Sequence, residues 1–324
     1  RPMRFGFLKA GAAVMLLTLA LPSAAVAQDK LRLAIGQRGN WETAMAEIGA
    51  RAGIFKKHNL ELERTYTAGA GETLQAVISG AVDVGIAIGT SGAMSAFAKG
   101  APIRIVGSAT VGSNDLYWYV KAENPLKAIK DATEKTTIAY STAGSSTNLM
   151  VLGFLKTYGL KSQPVKTGSP PATLTAVMSG QVDVGWAAPP FGLKEIGEGK
   201  IRIIGRGGEV VSMRNQTVRT ICVNADKLGK NPALVQRFMT AYDEALDYMY
   251  NNPEALKHYK EFAGIDEGLA RKAMADFYPR AALDPYRMEG LDGVMADAIT
   301  HNFLKEPLSK DQLAQLLQVP ARKK

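Results

Sequence analysis

The sequence predicts an α/β protein of two similar lobes, each a mostly parallel sheet flanked by helices, and three observations carry that prediction. The first is a repeat: E-T-L-Q-A-V-I-S-G-A-V-D-V-G-I-A at 72–87 returns as A-T-L-T-A-V-M-S-G-Q-V-D-V-G-W-A at 172–187, with eleven of sixteen positions identical and no gap. A period near one hundred residues is too long for stacked repeats of roughly 20–50 residues and has the length of a small domain. The second is the alternation of short apolar strand patterns with helical ones, which implies parallel sheets with helices on their faces. The third is length, since roughly 300 residues follow the apolar leader, enough for two domains.

Within the repeat, Leu74, Val77 and Ile78, like Leu174, Val177 and Met178, fall at i, i+3, i+4 and give each copy a helix with one apolar face. Ser79-Gly80 and Ser179-Gly180 end those helices, glycine taking the left-handed conformation. Strands at 82–87 and 182–187 follow, small and apolar as in a sheet covered on both sides. Asp83 and Asp183 interrupt them and read as ties between turn and strand. Around this unit the first lobe reads as a strand at 31–36, a helix at 41–52 capped by Asn40, a strand at 60–66, a helix at 91–98 and a strand at 103–108. The second lobe reads as strands at 116–121 and 136–140, a loop at 141–147, a helix at 148–158 closed by Gly159, a helix from Phe191 and a strand at 201–204. A strand at 217–224 leads back. From Asn231 the pattern is helical only, with Asn231-Pro232 and Asn252-Pro253 as helix starts and further helices at 267–276, 288–302 and 311–317.

Arg1, Arg4 and Lys9 precede the apolar run 10–21, and Ala25-Val26-Ala27 forms a small-x-small site. This reads as a secretory signal peptide, 1–27, cleaved after Ala27, and sends the mature chain to the periplasm. The formal charge is +9 and falls to +6 without those three residues. No Lys/Arg-rich run accompanies it, so nucleic acid is not an expected partner. Cys222 is the only cysteine, which excludes an intrachain disulfide and a cysteine metal cluster. His58, His258 and His301 are scattered, and no hydrolase, metalloprotease or phosphate-loop motif occurs. The expectation is a non-catalytic binder without metal or cofactor.

The repeated x-T-L-x-A-V-x-S-G-x-V-D-V-G, together with N-A-D-K-L-x-K-N-P-A-L-V-Q-R-F at 224–238 and N-N-P-E-A-L at 251–256, resembles one family. It is the periplasmic substrate-binding proteins of ABC transporters for nitrate, sulfonates and taurine, which also includes binders of thiamine-pyrimidine precursors. The resemblance covers about residues 31–318. It implies the two-lobed periplasmic-binding-protein fold (type II-like), with lobe 1 from 28–113 plus 222–324 and lobe 2 from 114–221. Two crossover strands, near 111–117 and 219–224, would join the lobes. It implies a hinge that closes on a small-molecule ligand, delivery to an ABC permease with its ATPase, and a monomer. The expected ligand is a small organic anion, sulfonate-like. An aromatic or pyrimidine-like ligand is the alternative, as is an enzyme on the same fold.

Candidate ligand contacts lie where loops follow strands. Ser141, Gly144, Ser145, Ser146 and Thr147 combine glycine, hydroxyls and a helix start, a pattern suited to an oxyanion, and the family places its ligand at the matching loop. Thr90 and Ser91 repeat the device in the first lobe. Gln37, Arg38 and Trp41 follow the first strand, where the resemblance implies a polar contact and an aromatic wall, and Arg38 is of a type that pairs a sulfonate or carboxylate bidentately. Gly69 and Gly71 offer backbone N–H groups. Trp186, Ala188, Pro189 and Phe191 form a second wall, and Arg214 lies in a polar loop beyond.

Overall fold

A computed structural model describes residues 2–3 and 28–323 of the chain. The expected signal peptide and its cleavage point lie outside the described residues. The described residues form ten strands: β1 (Asp29–Gly36), β2 (Leu60–Thr67), β3 (Val84–Gly89), β4 (Ile103–Val111), β5 (Tyr117–Lys121), β6 (Thr137–Tyr140), β7 (Gln163–Lys166), β8 (Gly185–Ala187), β9 (Ile201–Arg206) and β10 (Thr217–Asn224).

The first sheet has the order β2-β1-β3-β10-β4. In it β1 runs parallel to β2 and β3, and β10 is antiparallel to both its neighbours. In the second lobe β8-β5-β9 form one sheet and β6-β7 another. A parallel bridge between Ile138 and Val184 sets β6 beside the start of β8, giving the sequence β7-β6-β8-β5-β9. The two lobes therefore share one strand order, with antiparallel β5 standing where β10 stands in the first. Each of these two strands arrives from the other lobe, β5 directly after β4 and β10 directly after β9.

The return passage differs from the sequence expectation. It was placed at 219–224, with a lobe boundary at 221/222. Thr217 already pairs with Val111, and Arg219 with Gly89 and Thr110, inside the first sheet. The passage is therefore residues 207–216, because strand residues 217–223 are buried throughout and pair inside the first sheet. Strand β7 had no sequence signal. It is four residues long, contains Pro164 and is largely exposed, as an edge strand can be.

The repeat is legible at atomic detail. Helices Ala70–Ile78 and Pro170–Met178 end at Gly80 and Gly180, with φ of +73° and +78°. Asp83 accepts the Arg32 N–H at 2.9 Å and Asp183 accepts the Thr137 N–H at 2.8 Å, each tying the strand entry to the neighbouring strand. Asp83 is buried and also pairs the Arg32 guanidinium at 2.9 Å, whereas Asp183 is exposed. Asp83→Ala should therefore lower stability by about 1–3 kcal/mol and Asp183→Ala by about 1 kcal/mol or less, read from urea melts. Equal losses would contradict the asymmetry.

The first core gathers Leu33, Ile35, Ile86 and Ile221 of the sheet against Phe238, Tyr242 and Leu246 of helix Pro232–Asn251. Asn231 and Asn252 cap their helices as expected, accepting the Leu234 and Glu254 N–H groups. Asn40 does not: the chain enters helix Met45–Arg51 through a 3₁₀ turn, and the Asn40 amide donates to Gln37 Oε1 at 3.3 Å. The second core packs Trp118 edge-on against Phe154, centroids 4.9 Å apart, with Ile138 and Val184. The C-terminal helices return to the first lobe but reach the second, where Arg206 lies over the Phe277 ring at 5.1 Å. Among the described residues no helix is long and apolar enough to cross a membrane.

Candidate functional site

The carboxyl ends of β1 and β3 face those of β6 and β8, the place where open α/β sheets bind ligands. Gly36, Gln37, Asn40 and Glu42 after β1, Ala70, Ala87 of β3 and Leu116 of the first passage line one cavity there. Ser141, Ser145, Ser146, Thr147, Trp186 and Arg219 complete it. Its volume is about 30 Å³, room for a water or two. The lobes are shut, and an organic solute requires them to part. Two residues on this cavity, Gln37 (φ +60°) and Ala87 (φ +64°), hold left-handed backbone without being glycine, a strain that concentrates at functional sites. The loop after β1 is held by Thr43 Oγ1 on the Gln37 carbonyl at 2.8 Å and Tyr259 OH on the Gly39 carbonyl at 3.0 Å.

The hydroxyl loop is more closed than its sequence suggests. The helix begins at Ser146, two residues earlier than expected, with Ser145 as its cap accepting the Asn148 N–H at 3.1 Å. Ser141, Ser145 and Thr147 hydroxyls bond one another at 2.9–3.0 Å, and Thr147 Oγ1 accepts the Ser141 N–H. What remains for a ligand is the helix start itself, where the Ser146 and Thr147 N–H groups have no intrahelical acceptor.

Beneath the cavity lies a buried charge cluster that sequence reasoning missed. The Arg219 guanidinium meets Glu42 at 2.7 Å and both Asp115 oxygens at 2.6 and 2.7 Å. All three side chains are buried. Burial pushes the Glu42 carboxyl up to about 7, against the pull of Arg219 and helped by the nearby Asp115 charge. Arg219 is disfavoured as a cation by burial, but the two carboxylates outweigh this and hold it charged. The available signal was an arginine in the middle of T-V-R-T-I-C-V, a strand otherwise apolar or hydroxylic; such a residue needs a buried partner. Glu42 and Asp115 sit in unremarkable contexts and carried none.

The expected contacts divide. Gln37, Ser141, Ser145, Ser146, Thr147 and Trp186 line the cavity. Trp41 does not: it is fully buried in the first core, edge-on to Tyr259 at 4.9 Å and Tyr250 at 5.7 Å. Arg38 is exposed over the Phe262 ring at 4.3 Å, its charge left in water. Arg214 is exposed in the return passage and bonds the Gly208 carbonyl at 2.5 Å. Gly69 and Gly71 pack on Thr142 of the other lobe, whose Oγ1 takes the Gly71 N–H at 2.9 Å. Thr90 Oγ1 donates to the Thr217 carbonyl at 2.6 Å, and Thr90 and Ser91 line a smaller crevice of about 10 Å³ beside Gly144. Gly144 itself abuts Gly89 and Gly92, backbone on backbone between the lobes.

Ala188 belongs to the second core. The Pro189 carbonyl accepts the Tyr278 hydroxyl at 2.9 Å, and the Phe191 carbonyl accepts that of Tyr117. The Phe191 ring faces Gly39 across the seam. These last residues join lobe to lobe instead of walling the cavity. Cys222 is fully buried and its thiol is pushed up to about 12 by that burial, far from a nucleophile's range.

Solved structures share this architecture. The periplasmic aliphatic sulphonate binding protein SsuA from Escherichia coli is 18% identical with a TM-score of 0.69, over 91% of this chain and 94% of that one. The alkanesulfonate-binding protein SsuA from Xanthomonas axonopodis pv. citri, bound to MOPS, is 17% identical with a TM-score of 0.73, over 90% and 98%. The periplasmic nitrate-binding protein NrtA from Synechocystis PCC 6803 is 13% identical with a TM-score of 0.68, over 90% and 86%. At these identities the likeness establishes the periplasmic-binding-protein fold. No curated protein matches the sequence. The family described as NMT1/THI5 like matches residues 42–256, more than half of the chain, and the protein therefore belongs to the NMT1/THI5-like family.

Proposed function

We propose that this protein is an exported solute-binding protein that closes two lobes over a small organic anion, sulfonate-like, in the periplasm and presents it to an ABC permease with its ATPase. The observation that carries the reading is the cavity between the lobes, lined from both sheets at their strand ends and entered by a helix start with free N–H groups. Sulfonate and nitrate binding by proteins of the same fold supports it. We read the chain as a monomer and as a binder instead of an enzyme. The buried Cys222 and the pairing of His58 with Glu244 at 2.7 Å leave neither group at the cleft. The aromatic or pyrimidine-like alternative loses two of its walls, since Trp41 is core and Phe191 lies on the seam, and keeps Trp186.

Thermal unfolding of the refolded mature chain tests the reading. A solute at one hundred times its dissociation constant adds about 2.7 kcal/mol, several degrees in a protein of this size. A shift with sulfonates and recovery of the solute unchanged is the expected result. A panel of sulfonates, nitrate, carboxylates and pyrimidines that leaves the melting temperature unmoved overturns it.

A further inference from the structure

A second cavity opens on the other face of β8. Neighbouring strand residues point to opposite faces: Trp186 borders the cleft cavity, and Ala187 borders this one. The two cavities share no lining residue, and their volumes are about 30 Å³ in the cleft and about 270 Å³ here. The larger value is close to the roughly 300 Å³ at which small-molecule sites begin. The second lobe gives Tyr119, Pro170, Phe191 and Glu195 to its wall, and Ala263 and Ile265, which pack on the first core, give the facing side. The rest of the wall is proline, leucine, alanine and glycine, so Glu195 is its only charged side chain. Among the described residues no side chain pairs with that carboxylate. The nearby lysines, Lys194 and Lys200, both pair with Glu198, at 3.9 and 2.7 Å. Burial, and after it the Glu195 charge, push the Tyr119 phenol above its ordinary range, which sets the carboxylate near that ring. A half-buried carboxylate without a cation, on a wall that also holds two aromatic rings, attracts positive charge. The carboxylate does so by a charge-assisted hydrogen bond and the rings by their quadrupole.

We propose that this seam cavity is a second binding site, for a small organic cation with an apolar body. The ammonium group lies against Glu195 and the body against Tyr119, Phe191 and Pro170. Each lobe holds part of the wall, so the site is complete only when the lobes are shut. The cation and the closed state then favour each other, whatever solute the cleft takes, and the seam works as an effector site.

Calorimetric titration of the mature chain with phenethylammonium, the neutral phenethyl alcohol and the anion phenylacetate tests this. The cation is expected to bind at least about tenfold tighter than the alcohol, and the anion more weakly than both. Glu195→Gln keeps the shape and breaks no side-chain bond, and it should bring cation and alcohol within about threefold of each other. Gly89→Ala, whose added Cβ meets the Gly144 carbonyl oxygen on the opposite lobe, should weaken the cation at least about threefold by disfavouring the closed state. Equal affinity for cation and alcohol in the wild type overturns the proposal, as does the absence of any binding. A preference for the cation that survives Glu195→Gln places the cation elsewhere and overturns it too. Unchanged affinity in Gly89→Ala overturns the two-lobed site.

Discussion

Replacing Arg219 by methionine should lower stability by about 3–5 kcal/mol, because it leaves Glu42 and Asp115 buried together without their shared cation. In a chain this long that is a fall of roughly 10 °C in melting temperature. The loss should be pH-dependent, with a definite sign. Glu42 titrates at about 7 in the folded chain and near 4.3 when unfolded. Between those values the folded state holds a proton that the unfolded state has released, so stability falls as pH rises through the window. In the wild type this penalty is complete once Glu42 is ionised in both states. Without the attraction of Arg219 the Glu42 carboxyl rises further, and the variant should recover much of its stability when the buffer is taken from pH 8 to pH 5. A denaturant midpoint indifferent to pH, or a loss below about 1 kcal/mol, would show that the cluster is solvated and not buried.

Gly89→Ala should weaken solute binding at least about tenfold, or 1.4 kcal/mol, with little effect on the melting of the unliganded protein. Gly89 has φ of −59°, which any residue adopts, so its glycine is required for space and not for backbone freedom. A Cβ there would stand 2.2 Å from the Gly144 carbonyl oxygen and 2.9 Å from Ser145 Cα, both on the opposite lobe. Both neighbours are backbone and cannot rotate away, so the lobes must part. An alanine therefore disfavours the closed state that a solute stabilises, and apparent affinity falls with the population of that state. Small-angle scattering should find the variant more open at saturating solute. Wild-type affinity in the variant would mean that the bound form does not use this seam.

The two-lobed α/β fold was legible because its signals are local or repeated. Helix Pro170–Met178 and its Gly180 terminus follow from a few adjacent residues, and the one-hundred-residue repeat announces the second lobe without any knowledge of packing. The Asp83 and Asp183 ties follow from their equivalent places in the two copies. Strand β7 escaped because an exposed four-residue edge strand has no apolar periodicity to read. The return passage was misplaced because strand β10 looks the same whether it begins or ends a crossing.

For the site the division is sharper. By itself the sequence determined which loops follow strands, and so placed Gln37, Ser141, Ser145–Thr147 and Trp186 at the cleft. It could not tell that Trp41 is sealed in the first core while Trp186, packed in the second, also borders the cavity, since the burial of Trp41 depends on helices some 200 residues later. The tertiary structure alone decided that Glu42, Asp115 and Arg219 meet, since Arg219 lies 177 residues from Glu42 and 104 from Asp115. It alone decided that the Ser141, Ser145 and Thr147 hydroxyls satisfy one another. Local chemistry is written in neighbouring residues, whereas charge pairing in a closed cleft is a sum over groups that only folding brings within a few ångströms.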